Sequence, residues 1–469
     1  MSKFDRKTAT ALLVAATLFM EILDATVIST ALPIIAADFN VAAAHLSVGI
    51  SAYLVAVTVF IPISGWAADR LGPKTVFCAA ICVFVIASVL CAISTNLHTF
   101  TGARILQGLG GAMMVPVGRL VVLRALPKNQ IVRGMAILTW PALAAPLIGP
   151  VLGGWIAQTF SWHWIFLMNV PLGIIALAIG MVLIENHKSE PQRFDVTGFL
   201  LSGIGFGLFM AGLESFSGRP DSLLVPGLLT SCGLVLLILT FRHMAVSPGP
   251  LFSLKAMSVA TFRITVIGGS AIRIGLSSAP FLIPLMLQLA LGFTPVEAGT
   301  LLLWLFAGNL AIKPATTWIM NTFGFRTVLL ANTVFIAAGF AAIAQFDAFT
   351  PSWLMALVLF ISGMNRSMHL TVLNTISFAD IPQNEMRDAN TLGAVLMQMT
   401  RGLGITTGAL ALALATVITG SSTENPSVFD FSLTFYMMAA VSLLALIDSA
   451  KLPANAGDAI LNKRAAKVS

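Results

Sequence analysis

Apolar residues run along this chain in long blocks separated by short polar stretches. A helix of roughly 20 apolar residues crosses a hydrocarbon core about 30 Å thick. Fourteen blocks of that order fall at 9–32, 46–68, 74–95, 99–125, 132–158, 162–185, 196–216, 223–244, 260–289, 296–320, 325–346, 353–378, 389–418 and 431–452. The alternating ten-residue segments of a membrane barrel are absent, so helices are the expected spanning element. The pattern predicts an all-α integral membrane protein. The first block is long, carries two acids and lacks a small-residue cleavage site. It is therefore expected to be kept as a span rather than removed as a signal.

Composition agrees: 57% of residues are hydrophobic and 10% charged, against about 25% charged in soluble domains. The net charge of +7 does not point to nucleic acid, because the basic residues form no patch. They gather in alternate loops, at Lys3, Arg6 and Lys7, Arg70 and Lys74, Arg124, Lys128 and Arg133, Lys188 and Arg193, Arg242 and Lys255, Arg326, and Lys451, Lys463, Arg464 and Lys467. The opposite loops hold one basic residue, Arg219. That asymmetry predicts that both termini are cytoplasmic. Cys78, Cys82 and Cys91 share one block and Cys232 lies in another, with no His or acid beside them. They read as small packing residues, and neither a metal nor a cofactor is expected.

The chain repeats itself. "GWAADRLGPKTVF" from Gly65 matches "TWIMNTFGFRTVL" from Thr317, with Trp66 against Trp318, Gly72 against Gly324 and Lys74 against Arg326. "LPKN" from Leu126 echoes "IPQN" from Ile381, and Gly149 and Gly153 echo Gly404 and Gly408. Matching positions lie eight blocks apart and both copies run in the same orientation, so two helices separate two six-helix halves. The expected organisation is a six-helix bundle at 1–185, linkers with two inserted helices at 186–258, a second six-helix bundle at 259–452, and a cytoplasmic tail at 453–469.

Parallel six-helix halves with a basic loop after the second span resemble the major facilitator superfamily. The motifs are similar to those of its fourteen-span drug:proton antiporter branch. Gly65, Asp69, Arg70, Gly72 and Lys74 match the loop motif, with Pro73 where a basic residue is usual. Arg104, Gln107 and Gly108 in "ARILQGLGGA" match the fourth-span motif, and Asp24 in "LDATVISTALP" matches the acidic position of the first-span signature. "SWHWIFLMNVPLG" from Ser161 is typical of the branch. Gly149, Pro150, Gly153 and Gly154 match the fifth-span antiporter motif, whose two upstream glycines are Ala136 and Ala145 here. The resemblance implies a major facilitator fold and a proton-coupled efflux antiporter in a bacterial cytoplasmic membrane, a monomer exchanging a small molecule for protons.

A carboxylate near the bilayer centre costs roughly 2.5–3.5 kcal/mol even on lenient scales. Glu21 and Asp24 stand one turn apart in the first span, on a face shared with Thr17. Either they carry protons, with Asp24, which matches the branch signature, expected as the coupling site and Glu21 as the second candidate, or they form a structural ion pair with an arginine of another helix. Basic residues also lie well inside the blocks: Arg104, Arg273, Lys313, Arg366 and Arg401. Ser270 and Ser277 accompany Arg273, Ser362, Asn365 and His369 accompany Arg366, Asn309 accompanies Lys313, and Gln398 accompanies Arg401. Such stripes face a protein interior or a water-filled cavity. Arg104 reads as structural, and Arg401 stands beside the packing glycines Gly402 and Gly404. Five embedded cations against two embedded acids predict a cationic site for a negatively charged substrate, built from Arg273, Arg366 and Lys313, with Arg401, Asn365 and His369 beside them. Asp69, Arg70 and Lys74 are expected to latch a conformation rather than touch substrate.

No Gly-Lys-Ser/Thr phosphate loop is present for ATP-driven pumping. No nucleophile–base or metal constellation suggests an enzyme. A channel remains the alternative class, although two repeated halves suit rocking about a central site. Within transporters, cationic drugs compete with an anionic or zwitterionic metabolite as the cargo. One outgoing monoanion exchanged for one proton would move two charges with the membrane potential, roughly 4–5 kcal/mol per 100 mV.

Overall fold

The computed structural model describes residues 3–125, 131–186, 188, 194–217, 222–382, 385–453 and 456. Every regular element among them is helical. In chain order the long helices are α1 (Lys3–Val27), α2 (Ser47–Leu71), α3 (Pro73–Ala92), α4 (Leu97–Ala125), α5 (Ile131–Thr159), α6 (Asn169–Leu183), α7 (Val196–Ser217) and α8 (Leu224–Val246). They continue with α9 (Ser270–Leu285), α10 (Pro295–Ala311), α11 (Lys313–Phe323), α12 (Phe325–Ile343), α13 (Ser352–Ser377), α14 (Met386–Thr419) and α15 (Val428–Leu443).

Among the described residues, 12 helices are long and apolar enough to cross a membrane, and 13 if α10 and α11 count as one span. The expected fourteen is therefore not reached outright. Two places make the difference. At the tenth block α10 and α11 meet at 51°, because Pro314 at the start of α11 has no N–H for the helix to continue through. At the fifth block the apolar helix counted is only Leu143–Thr159. The basic loop positions Lys128, Arg193, Arg219, Lys463, Arg464 and Lys467 lie outside the described residues, as do the side chains of Lys3, Arg6, Lys7, Arg124, Arg133 and Ala136.

The chain divides into two compact units, the first Met1–Gly212, Gly227–Thr240 and Thr294–Gly299, the second Leu213–Pro226, Phe241–Phe293 and Thr300–Ser469. In the first, Leu18, Phe77, Ile81 and Phe84 belong to one buried core. Small residues bring its helices close. A Cβ at Gly110 would stand 2.8 Å from the Phe84 nitrogen, and one at Gly153 only 2.1 Å from the Val27 oxygen. The inserted α7 and α8 pack through Gly205 and Gly233, and α7 lies on α2 through Gly203 against Val59 and Phe199 against Phe60. Leu224, Leu228, Leu234, Val235 and Ile238 stay exposed, an outer face suited to lipid.

The repeat is visible in backbone geometry. Gly72 ends α2 at φ 91° and Gly324 ends α11 at φ 77°, a region that excludes most side chains. In the second unit α10 meets α13 backbone to backbone: a Cβ at Gly308 would lie 1.9 Å from the Phe360 oxygen, and one at Gly363 1.9 Å from the Leu305 oxygen. The span containing α9 is the least regular. Five-residue π segments, Ile264–Gly268 and Met286–Ala290, flank it, and Pro280 and Pro284 lie inside it.

Candidate functional site

Within the first unit Asp24 is fully buried and its oxygens are bonded from three sides. Arg104 Nη1 donates to Oδ2 at 2.8 Å, while Asn169 Nδ2 and Gln107 Nε2 donate to Oδ1 at 2.7 and 3.0 Å. Ser88 Oγ accepts from the same two amides at 3.3 and 3.0 Å and donates to the Phe84 carbonyl. Arg104 Nη1 also reaches Gln107 Oε1 at 2.5 Å, and its guanidinium lies 4.5 Å from the Tyr53 ring centroid. Helices α1, α2, α3, α4 and α6 thus converge on one carboxylate. A buried pair is tolerable only when its remaining polar atoms are satisfied, and here nearly all are; Arg104 Nη2 and Asn169 Oδ1 are the exceptions.

Glu21, one turn earlier on α1, is handled differently. Its Oε1 accepts from the Tyr53 hydroxyl at 3.3 Å, and its Oε2 has no partner. Gly111 makes the room: a Cβ there would stand 3.0 Å from the Tyr53 oxygen and 3.1 Å from Glu21 Oε1. Thr17, expected on this face, gives its hydroxyl to the Val14 carbonyl.

The fifth-span glycines hold α5 against α1. A Cβ at Gly149 would fall 2.1 Å from Thr26 Oγ1, and Thr30 Oγ1 donates to the Pro150 carbonyl at 3.0 Å. Gly154 faces the Pro295 carbonyl in the same unit. The loop motif sits at the α2–α3 turn, where Asn186 Nδ2 donates to the Leu71 carbonyl and to Thr75 Oγ1, directly over Gly72. Arg70 is exposed and lies 5.3 Å from the Trp66 ring centroid, with Asp69 and Lys74 half-buried. Gly65 borders open space, so no packing requirement explains it.

In the second unit the cations separate into two kinds. Lys313 Nζ donates to Thr371 Oγ1 at 2.9 Å at the α10–α11 break, and Arg401 Nη1 to Gln398 Oε1 at 3.3 Å on the same helix; both are exposed. Arg273 and Arg366 instead reach main-chain carbonyls, Thr265 at 2.8 Å and Leu276 at 2.5 Å. Each carbonyl has a reason to accept. Thr265 lies in a π segment, and the residue four after Leu276 is Pro280, which has no N–H. Arg273 Nη2, Arg366 Nε, Ser362 Oγ, Asn309 Oδ1 and both His369 ring nitrogens lack partners. Asn365 enters through its carbonyl, which accepts from Asn332 Nδ2 at 2.6 Å. Ser277 packs against Gly404 and so belongs to the α9–α14 contact. Arg366 and Ser362 line a narrow, largely apolar cleft with room for about one water.

Sequence reasoning did not single out Tyr53, Ser88, Asn169 or Gly111. Tyr53 carried a signal, as one of two tyrosines in the chain and set in an apolar block. Asn169 stood inside a motif valued only for its likeness. Among the described residues no three His, Cys, Asp or Glu side chains gather as a metal would require.

The family model described as Major Facilitator Superfamily matches residues 14–408. A protein of Citrobacter koseri called "Putative multidrug resistance protein MdtD" is 35% identical over 448 residues, 94% of each chain. A protein of the same name from Pectobacterium carotovorum is 36% identical over 440 residues, 93% of this chain and 94% of its own. Two solved structures share the fold. A D-xylose-proton symporter has a TM-score of 0.68 at 13% identity, covering 96% of this chain and 99% of its own. A POT family peptide transporter has a TM-score of 0.68 at 14% identity, covering 94% and 96%.

Proposed function

The chain belongs to the Major Facilitator Superfamily and is a transporter, not an enzyme, and we propose that it exports small molecules in exchange for protons by alternating access. One observation carries the reading: two carboxyl groups share a face of α1, one bound on both oxygens and one with an oxygen free. Asp24 serves as a fixed anchor, since taking a proton there would break its bond to Arg104 or to an amide. Glu21 takes the proton, because Oε2 can accept it without any existing bond being lost. Tyr53 holds the other oxygen through either state.

The name of the relatives supports export of foreign small molecules as the physiological task. In the same reading the chain is organised as two six-helix halves at 1–185 and 259–452, the segment 186–258 is an inserted pair, and the protein works as a monomer. The loop-motif residues Asp69, Arg70 and Lys74 act as a latch on the cytoplasmic side.

Everted membrane vesicles, acidified inside, test the exchange. They should accumulate exported compounds, lose them when a protonophore collapses the gradient, and still support counterflow without a gradient. Accumulation indifferent to the protonophore would overturn the reading, and non-saturable flux without counterflow would indicate a channel. Orientation follows from the loop charges: both termini are cytoplasmic. Cysteines placed near Ser217, at the exposed Ser222, and near Thr423 should therefore react with impermeant thiol reagents from outside the cell, and reaction only from the cytoplasmic side would reverse the assignment.

A further inference from the structure

Helix α14 is exposed on two opposite sides. Toward its start Asn390, Ala394 and Arg401 are exposed and Gln398 is half-buried, while toward its end Leu414, Val417 and Ile418 are exposed. At 3.6 residues per turn Asn390, Ala394 and Gln398 fall within about 60° of Arg401, and the three apolar residues lie roughly 160–260° round the helix from it. The apolar side suits lipid. Arg401 does not: it lies near the middle of the 32-residue span Asp388–Thr419, about 20 Å from its start, and an exposed guanidinium at that depth faces water. The wet side also ends there. From Val395 to Ala413 Arg401 is the only exposed residue, and one to two turns further Gly404 and Gly408 are buried against Ile274, Ser277 and Ser278 of α9. A polar strip therefore runs in from the Met386 end and stops at one cation, where α9 closes over it. Nothing cancels that charge. Among the described residues the Arg401 side chain bonds only to the neutral Gln398, and neither Arg401, Arg273 nor Arg366 has a carboxylate partner. The acids nearest along α14 are Asp388, in its first turn, and Glu214, which accepts from the buried Thr406 Oγ1 on another side of the helix.

We propose that Arg401 is a charge filter: it sets a positive potential at the blind end of this strip, so that the second unit favours anionic solutes over cationic ones as cargo. The proposal rests on the exporter reading above and names the charge class that reading leaves open. A cation in a wet recess with low-dielectric walls raises the local concentration of anions and lowers that of cations. The exposed guanidinium edge also matches an oxyanion through two parallel hydrogen bonds, and the Gln398 amide beside it is a further donor.

Two thiol reagents of similar size and opposite charge read that potential directly: the anion ethylsulfonate methanethiosulfonate and the cation ethyltrimethylammonium methanethiosulfonate. The reporter is Gln398→Cys in the purified full-length protein, in detergent and with the four native cysteines replaced; Asn390→Cys, nearer the start of α14, is the comparison. The anion-to-cation rate ratio at position 398 should exceed that of a free thiol by about tenfold, the size expected for one charge about 6 Å away in water acting on two opposite probes. The excess should be smaller at position 390. Arg401→Gln should return the ratio at 398 to the free-thiol value, and Arg401→Lys should keep most of it, because the charge and not the planar fork is read. Arg401 is exposed, so neither change disturbs a packed core. The link to cargo is read with tetraphenylphosphonium, which should bind Arg401→Glu about tenfold or more tightly than the unaltered protein. No reaction of either reagent at position 398 would show that water does not reach this depth and would overturn the proposal. So would a free-thiol ratio, a raised ratio that Arg401→Gln leaves unchanged, or tetraphenylphosphonium binding that Arg401→Glu does not strengthen. Proton-driven accumulation in vesicles beside any of those failures would leave the exporter reading standing. The filter without any such accumulation would stand by itself and remove that reading.

Discussion

Glu21→Gln is expected to abolish proton-driven accumulation while leaving the protein folded and capable of counterflow. The amide is close in shape to the protonated acid, so the Tyr53 hydroxyl keeps an acceptor and the space opened by Gly111 stays filled. What disappears is the exchange of a proton at Oε2, the atom that has no other partner. The measurement is uptake into acidified everted vesicles beside counterflow in the same membranes. Full uphill transport by Glu21→Gln would move the coupling role elsewhere. Glu21→Asp should retain part of it, with a shorter side chain that no longer meets Tyr53 squarely. Tyr53→Phe removes the donor and should change the pH dependence of transport more than its maximum rate. That pattern separates a proton site from a merely structural acid.

Asp24 and Arg104 should behave as a unit of stability. Removing one partner of a buried, hydrogen-bonded ion pair leaves the other charge without compensation, typically a loss of about 3–5 kcal/mol. Asp24→Ala also leaves Asn169 and Gln107 without the oxygen they share. Thermal unfolding in detergent should show large losses for Asp24→Asn and for Arg104→Gln. The double variant Asp24→Asn/Arg104→Gln should lose much less than the sum, because neutral amides can still bond to one another. Additive losses would mean that the two side chains act separately, against the geometry that joins them at 2.8 Å.

Much of this was readable from the chain, and the parts that were not have physical causes. Block length and the polar gaps gave the helices, since a span must satisfy its backbone internally. The matched Gly72 and Gly324 turns were visible because left-handed backbone requires glycine. The bend at Ile312 was less visible: a single proline within a long apolar block marks a possible break, but packing decides whether the helix kinks or parts. The division of labour between Glu21 and Asp24 was not legible at all. It depends on which face meets Arg104, 80 residues away, and Asn169, 145 residues away. Equally, nothing local distinguishes Arg366, which fills a carbonyl opened by a proline on another helix, from Arg401, which bonds one turn away on its own.

The separation of Asp24 from its partners has a consequence during synthesis. The first span leaves the ribosome with both acids bare, and Arg104 follows 80 residues later. At roughly 5–20 residues per second that interval is about 4–16 s. Until then α1 is a poor occupant of lipid, carrying two acids whose folded-state partner on the fourth span has yet to be made. It has to wait, protonated or sheltered beside the insertion machinery, until the fourth span arrives. Asn169 comes later still, 145 residues after Asp24, so the network closes only when the sixth span is laid down. The order of translation therefore sets when this carboxylate can be fully bonded: its last donor is on the last span of the first half to be made.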